Sequence, residues 1–204
     1  MDKYALFASL YDPIVSPFLR PIHEAMLHAM TARHCRTVLD LCCGTGFMVG
    51  MASNAGINPV GIDLSPAMLD IAHTKQPNTD FILGDASAIS FSDNTFDATT
   101  ISFALHEKPV KTARAMLNEA KRVTKSGGLI LVADYRIPMH RQSRFTKWSI
   151  SLIEKLAGTD HHTHFRAYMA AGGSASFLTE SGLTGQPSAT FMGGWAGMFL
   201  STNT

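Results

Sequence analysis

The alternation of short apolar runs with helical patterns between residues 36 and 135 limits the fold of this 204-residue chain more than any other feature. Five runs have the length and composition of buried strands: RTVLDL (36–41), NPVGIDL (58–64), TDFILGDA (79–86), NTFDATTISFAL (94–105) and KSGGLILVADY (125–135). Such alternation favours parallel strands joined by right-handed helical crossovers. The sequence therefore predicts an α/β protein with a doubly wound, mostly parallel sheet.

Helices are predicted before and between these strands. Apolar residues at helical spacing predict a helix over 19–33, with a proline in its first turn, where proline is tolerated. Ser65 followed by Pro66 marks the start of the helix after the second strand. A long amphipathic helix is expected at 110–124. Residues 1–18, aromatic-rich with two prolines, are predicted to be irregular.

The alternation ends after residue 135. Residues 136–172 are interpreted as an insertion with helices near 143–157 and 164–171. A last helix is expected in ASFLTESGL (175–183). Two apolar runs around a pair of glycines predict an antiparallel hairpin at 188–201.

The composition fits one globular domain, which we take to be 1–204. Its expected parts are an N-terminal lid and helix (1–35), a cofactor-binding core (36–135), a helical insertion (136–172), and a last helix with the hairpin (173–204). A formal net charge of +1 argues against a nucleic-acid partner. The first residues have neither a secretory-signal nor a membrane-span pattern, and three cysteines, two of them adjacent, do not form a disulfide framework. We therefore expect a cytoplasmic protein without stable membrane insertion.

The stretch VLDLCCGTG (38–46) places a glycine loop after the first strand, at the edge where open α/β sheets bind ligands. This stretch has three possible interpretations: a dinucleotide-binding loop, a thiol or metal site, or a binding loop for another adenosine cofactor. A dinucleotide loop needs the spacing Gly-x-Gly-x-x-Gly, but Gly50 comes one position late. Asp40, ahead of the glycines, would repel a pyrophosphate, whereas it suits a cofactor that carries an ammonium group.

Two further acids end the next strands. Asp63 stands in GIDLS, where a carboxylate can accept hydrogen bonds from ribose hydroxyls. Asp85 stands in LGDA, where it can accept one from an adenine amino group. An acid at one strand end is a common cap, but three in succession beside a glycine loop predict an adenosine cofactor with an amino-acid end.

VLDLCCGTG, GIDLS, LGDA and FDATTISFAL together resemble the successive motifs of class I S-adenosylmethionine-dependent methyltransferases, over roughly 36–135. The N-terminal YALFASLYDPIV and the strand SGGLILVADY are more similar to the ubiquinone/menaquinone biosynthesis C-methyltransferase branch. The resemblance implies a Rossmann-like, seven-stranded sheet ending in an antiparallel hairpin. It also implies S-adenosyl-L-methionine as cofactor and S-adenosyl-L-homocysteine as product.

The resemblance also assigns roles. In the glycine loop, the residues expected at the methionine part of the cofactor are Asp40, Cys42, Gly44, Thr45 and Gly46. Asp63 is expected at the ribose. Leu64 and Met68 should flank the adenine, with Asp85 and Ala86 at its edge, and Ser102 and Phe103 should pass near the sulfonium. The family usually has a small residue, most often glycine, where this chain has Cys42.

Methyl transfer is an in-line displacement, in which the protein mainly aligns the acceptor and excludes water. His106, just past the fourth strand, is the candidate base, with a surface histidine as the alternative. Tyr11 is expected in a lid against the methionine part or the sulfonium, because an aromatic face attracts a cation; packing on the core is the alternative. His161, His162 and His164 lack a specific metal spacing, so we expect no metal and place them in a loop over the pocket.

The function expected from these features is methyl transfer to a small molecule, apolar or ring-bearing, under a roof formed by 1–35 and 136–172. A non-catalytic S-adenosylmethionine-binding protein and a nicotinamide-dependent oxidoreductase are the alternatives. The adjacent cysteines are interpreted as small residues in a tight loop rather than as reactive thiols. The acceptor atom is left open, and so is the oligomeric state, with a homodimer as one alternative.

Overall fold

Seven strands form one sheet in the computed structural model, which describes residues 8–138 and 159–204. The strands are β1 (Thr37–Leu41), β2 (Asn58–Asp63), β3 (Asp80–Leu83), β4 (Phe96–Ser102), β5 (Thr124–Tyr135), β6 (Ala189–Phe191) and β7 (Ala196–Thr202). Their order is β3-β2-β1-β4-β5-β7-β6. The pairs from β3 to β5 are parallel, and β7 is antiparallel to both of its neighbours. The predicted doubly wound sheet with a C-terminal hairpin is confirmed.

The chain order of this sheet brings the site to one edge. The chain runs outward from β1 to β3, returns to β4 on the other side of β1, and continues to β5. The strand order therefore reverses between β1 and β4, and a crevice opens at such a point outside the carboxyl ends of the strands. The turns after β1, β2, β4 and β5 all end there.

Helices cover both faces of the sheet. They are α1 (Ala8–Ala32), α2 (Phe47–Asn54), α3 (Pro66–Lys75), α4 (Val110–Val123), α5 (Thr159–Ala170) and α6 (Gly173–Glu180). Successive strand residues point to opposite faces. Val38 packs with α1 and α2, whereas Leu39 packs with α4 and α6. The central strands β1, β4 and β5 are therefore largely buried on both faces, which explains their continuous apolar runs, whereas the edge strand β3 is mostly exposed.

Helix α1 is longer than the sequence predicts. Residues 8–18, expected to be irregular, belong to the helix, so that expectation was wrong. Prolines normally break a helix, but Pro17 and Pro21 are four residues apart and fall on one side. Pro17 and Pro21 are exposed, so water can satisfy the carbonyls that lose a partner. The opposite face carries Ile22 and others into the core.

Local sequence explains where the other helices begin. Ser65 caps α3 by accepting a hydrogen bond from the N–H of Met68 at 3.2 Å, as its sequence predicts. Helix α5 begins at Thr159, five residues before the predicted start. The helix expected near 143–157 lies outside the described residues. No helix within 8–138 and 159–204 combines the length and apolar character needed to span a bilayer.

Candidate active site

The glycine loop after β1 presents its backbone to open space. Gly44 has a φ of +54° and Gly46 one of +74°, a region that favours glycine. A Cβ on Gly46 would lie 2.8 Å from the Phe81 ring, whereas one on Gly44 would meet nothing within 4 Å. Gly46 is therefore required for packing on β3, and Gly44 lies on the side that a ligand can approach.

Asp63, the last residue of β2, is joined to this loop. Its Oδ2 accepts a hydrogen bond from the Gly44 N–H at 2.8 Å, and its Oδ1 accepts one from the Ser65 N–H at 2.9 Å. Burial raises the pKa of Asp63, although the two backbone hydrogen bonds favour the carboxylate. Each carboxylate oxygen has a second lone pair, so Asp63 can also accept from a pair of ligand hydroxyls.

Asp40 is a buried carboxyl in β1, 4% exposed. The hydroxyl of Thr100, its register partner on β4, donates to Oδ1 at 2.6 Å. Burial raises the pKa of Asp40 to about 7, and the Thr100 hydrogen bond only partly opposes this effect. A cation placed beside this carboxyl would favour its ionised form. The position suits an ammonium group and would repel a phosphate.

The residues expected around an adenine differ in exposure. Leu64 is 58% exposed and offers an apolar surface next to Asp63, whereas Met68 and Ala86 are buried. The exposed Asp85 accepts two hydrogen bonds at its Oδ1, from the N–H and the hydroxyl of Ser87, both at 2.8 Å. Leu64 and Asp85 can therefore contact a ligand directly, while Met68 and Ala86 support the fold beneath them.

The end of β4 combines a polar contact with a strained residue. The Ser102 hydroxyl lies 2.8 Å from Nε2 of His23 in α1. Phe103 has a φ of +51°, which is rare for a bulky residue, and its N–H donates to the Ala133 carbonyl at 2.8 Å. Its ring lies 5.2 Å from that of Tyr135. Strain of this kind is concentrated at functional sites.

His106 forms a buried pair with Asp134 at the end of β5. Its Nδ1 lies 2.6 Å from Asp134 Oδ1, and the backbone N–H groups of Leu105 and His106 donate to Oδ2 at 3.0 and 3.2 Å. His106 is 3% exposed and Asp134 is fully buried. When Nδ1 donates to the carboxylate, the neutral ring carries its lone pair on Nε2, which points away from Asp134. This arrangement is suited to accepting a proton.

Glu107 connects the loop after β4, which contains His106, to helix α5. Its carboxylate contacts Nε2 of His161 and lies 2.7 Å from Nζ of Lys108. Burial alone would raise the pKa of Glu107, but His161 and Lys108 outweigh it and lower the pKa to about 2. The three histidines lie in α5, so the loop expected for His161, His162 and His164 was wrong. The sequence DHHTH is polar, which favours a loop, but these residues form the first part of an amphipathic helix.

An aromatic cluster surrounds the His106 ring. The ring centroid of His106 lies 4.8 Å from that of Tyr135 and 6.0 Å from that of Phe165, and those two lie 5.3 Å apart. Other side chains that pack against this cluster are Phe103, Met169, Met192 and Trp195. The chain therefore builds an apolar, aromatic wall beside the Asp134-oriented histidine.

The cysteines behave as packing residues. Cys42 has a φ of +60°, the backbone conformation of a glycine. Cys43 is buried, and its Sγ fills the space above Gly61, where a Cβ would come within 2.8 Å of it. Burial raises the pKa of both thiols above the usual value. A thiol that stays protonated is a poor nucleophile and a poor metal ligand, so the structure favours the packing interpretation.

Two contacts of the site were not anticipated from the sequence. His106 follows β4 and Asp134 lies near the end of β5, and only the observed strand order brings these two neighbouring strands together. His23 gives almost no sequence signal, because it is a polar residue beside Ile22 on the buried side of a helix. Its partner Ser102 is 79 residues away.

The structure also locates the other two residues expected at the cofactor, Thr45 and Tyr11. Thr45 is buried in the glycine loop, and its carbonyl accepts a hydrogen bond from Nζ of Lys75 at 3.0 Å. Tyr11 belongs to α1, twelve residues before His23, or about 18 Å along the helix axis; its contact with a cofactor stays a prediction. Within the described ranges, no three His, Cys, Asp or Glu side chains are grouped as metal ligands.

Residues 38–128 match a family model described as a methyltransferase domain. A demethylmenaquinone methyltransferase of Paenarthrobacter aurescens is 40% identical over 114 residues, 56% of this chain and 44% of that protein. The enzyme of the same name from Renibacterium salmoninarum is 44% identical over 101 residues, 50% of this chain and 42% of that protein. The matched segment spans less than half the length of these relatives.

Solved structures of similar fold extend over more of the chain. An O-methyltransferase family protein from Burkholderia thailandensis covers 97% of this chain and 59% of its own, with a TM-score of 0.72 and 16% identity. The magnesium protoporphyrin IX methyltransferase of Synechocystis PCC 6803, solved with bound SAH, covers 90% of this chain and 83% of its own, with a TM-score of 0.64 and 17% identity. Because the sequence identities are below 20%, these similarities show a shared fold only.

Proposed function

Because this chain belongs, through residues 38–128, to the methyltransferase domain family, we propose that it transfers a methyl group from S-adenosylmethionine to a small, ring-bearing molecule. The resemblance to class I S-adenosylmethionine-dependent methyltransferases is confirmed by that match and by the demethylmenaquinone methyltransferase relatives. One observation carries the proposal. The glycine loop and Asp63, joined by a hydrogen bond, lie at the same carboxyl edge of the sheet as the aromatic wall around His106.

The residues of the cleft fit this cofactor. Asp40 would pair with its ammonium group, and Asp63, already accepting from Gly44, would accept from the ribose hydroxyls. The exposed side chain of Leu64 would lie against the adenine, with Asp85 at its edge. Thr45 and Gly46 would shape the loop, while Met68 and Ala86 support it from the core. Cys42 would contribute its backbone.

When bound, S-adenosylmethionine supplies an electrophilic methyl group on a sulfonium, and the sulfur leaves with the bonding electron pair as S-adenosylhomocysteine. Ser102 and Phe103, at the end of β4, would border that methyl group. The aromatic wall would hold the acceptor ring and keep water from the reacting atoms. His106 would take the acceptor's proton on Nε2, and the Asp134 carboxylate would stabilise the imidazolium that forms.

The acceptor to test first follows from the relatives. Their name says that they methylate demethylmenaquinone, a ring-bearing apolar molecule. The matched family segment ends at residue 128, so Tyr135, Phe165 and the rest of α5 lie beyond it. The wall of Tyr135, Phe165 and Phe103 supports an aromatic acceptor. We therefore propose a reduced quinone ring as the first acceptor and other apolar rings as the comparison set.

Calorimetry and radiolabelled transfer test this proposal. We expect S-adenosylhomocysteine to bind with a micromolar dissociation constant and the Asp63→Ala variant to lose it. Reduced demethylmenaquinone and S-[methyl-³H]adenosylmethionine should yield labelled product. Failure to bind S-adenosylmethionine and its product would overturn the proposal. Cofactor binding without transfer to any ring acceptor would support a non-catalytic binding protein.

Three further expectations complete the proposal. A cytoplasmic location is supported by the free state of Cys35, Cys42 and Cys43. The absence of a nucleic-acid partner is supported by the net charge of +1. A homodimer is the oligomeric state to test first, by light scattering after size-exclusion chromatography.

A further inference from the structure

His23 places a buried imidazole at the cofactor cleft from outside the core motifs. It lies in α1, is 4% exposed, and its Nε2 is 2.8 Å from the Ser102 hydroxyl at the end of β4. Its ring lies 5.6 Å from the ring of Phe47, the first residue after the glycine loop. His23 thus packs between the loop of β1 and the end of β4.

The other ring nitrogen of His23 has no partner among the residues that the structure describes. Nδ1 is buried and makes no hydrogen bond within that part of the chain. Burial lowers the pKa of His23 to about 4, so the ring is neutral at physiological pH and has one donor and one acceptor nitrogen. Buried polar groups are nearly always paired. An unpaired one beside a ligand cleft is therefore a candidate ligand contact.

The strand order indicates which part of the cofactor lies near His23. Asp63, the proposed ribose contact, ends β2 on one side of β1, whereas β4 lies on the other side. Asp40 of β1 is hydrogen-bonded to Thr100 of β4, so the carboxyl proposed for the ammonium group belongs to the β1–β4 side. Ser102 and Phe47 are on that same side, where the aminoacyl end of the cofactor would lie.

We propose that His23 positions the cofactor by donating a hydrogen bond from Nδ1 to the carboxylate of its aminoacyl end, while Nε2 accepts one from the Ser102 hydroxyl. This inference rests on the proposed function. Asp40 then serves the ammonium group and His23 the carboxylate, so each charged group of the aminoacyl end has a partner of suitable chemistry. A neutral donor holds the carboxylate without placing a positive charge near the sulfonium.

Two substitutions separate the two ring nitrogens. The amide of His23→Asn can place a donor near the position of Nδ1, whereas that of His23→Gln reaches the position of Nε2 and keeps the Ser102 contact. Affinities for S-adenosylhomocysteine and for 5′-methylthioadenosine, which lacks the aminoacyl end, are measured by calorimetry. His28→Gln is the matched control, because His28 is exposed on the same helix.

We expect His23→Gln to weaken S-adenosylhomocysteine binding about tenfold, the usual size of one hydrogen bond to a charged group, and to leave 5′-methylthioadenosine binding unchanged. His23→Asn should bind both ligands within about threefold of the wild type, and His28→Gln should match the wild type.

Equal weakening of both ligands by His23→Gln, together with a lower melting temperature, would show a packing role and overturn the inference. Full affinity in His23→Gln, or a larger loss in His23→Asn than in His23→Gln, would also overturn it. A wild-type chain that binds neither ligand would instead overturn the proposed function, and the inference with it.

Discussion

The site has a cofactor half, formed by the glycine loop, Asp40 and Asp63, and an acceptor half, formed by His106, Asp134 and the aromatic wall. The two halves are built in different ways. The cofactor half uses backbone N–H groups at strand ends, as where Asp63 accepts from Gly44, 19 positions away, together with one side-chain pair between adjacent strands, Asp40 and Thr100. The acceptor half depends on side chains that meet only after folding. His106 contacts Asp134, and Glu107 contacts His161 in α5.

This difference has a physical origin. An adenosine cofactor presents the same groups to every chain that binds it, so strand ends and a glycine loop suffice to hold it. An acceptor is recognised by the shape and chemistry of a wall, and here that wall comes from a segment after β5. The two halves should therefore respond differently to substitution, and five predictions test this separation.

His106→Asn should have the largest effect. The variant keeps a donor towards Asp134 but removes Nε2, so kcat for a ring acceptor should fall by roughly 100-fold to 10,000-fold if His106 is the base. Affinity for S-adenosylhomocysteine should stay within about threefold. Steady-state kinetics and calorimetry measure the two effects. His73→Asn in α3 is the control, and an unchanged kcat would mean that alignment alone performs the reaction.

Asp63→Ala should weaken S-adenosylhomocysteine binding by about 100-fold or more. The substitution removes the proposed acceptor for the two ribose hydroxyls, each hydrogen bond to a charged group contributing roughly 1.5–3 kcal/mol, and it also releases the Gly44 and Ser65 N–H groups that shape the loop. Asp85→Ala is the matched control, with a smaller loss, because Asp85 is exposed. Equal affinities in Asp63→Ala and the wild type would break the assignment of the cofactor half.

Affinity for S-adenosylhomocysteine should depend on pH through Asp40. With a pKa of about 7 in the free protein, the carboxyl must lose a proton to pair with an ammonium group. Affinity should therefore rise about tenfold from pH 6 to pH 8, with release of a proton measurable by calorimetry in buffers of different ionisation enthalpy. Asp40→Asn should show a flat profile, and a pH-dependent profile in that variant would contradict the assignment.

The same group predicts how stability depends on pH. The pKa of Asp40 is raised by folding from its ordinary value near 4 to about 7. Between these values the folded chain binds more protons than the unfolded chain, so the free energy of unfolding should fall as the pH rises from about 4 to about 7. Urea titrations of the wild type and Asp40→Asn measure this contribution, which should be absent from the variant.

Cys42→Gly should have the smallest effect. A left-handed conformation costs a residue with a Cβ about 1–2 kcal/mol, and loss of the thiol's packing offsets part of the gain. We expect the free energy of unfolding to change by less than about 1 kcal/mol, with cofactor affinity and kcat retained. A large loss of kcat without a loss of affinity would indicate a chemical role for the thiol.

The fold could be predicted where local patterns agree with tertiary packing. The strands, the helix start at Ser65 and the hairpin all follow from short-range signals. The prediction failed at residues 8–18, because local rules treat proline as a helix breaker. Pro17 and Pro21, four residues apart on the exposed side, do not conflict with the helix, and the buried face of α1 stabilises it.

The sequence by itself determined the parallel sheet with its C-terminal hairpin and indicated the residues at the strand ends where a cofactor would bind, because these features depend on local patterns. Only the tertiary structure decided that His106 is oriented by Asp134, that α5 reaches Glu107, and that His23 meets Ser102. These contacts join segments 28 to 79 residues apart. Periodicity carries no information about them, since they arise from which helices pack on which face of the sheet.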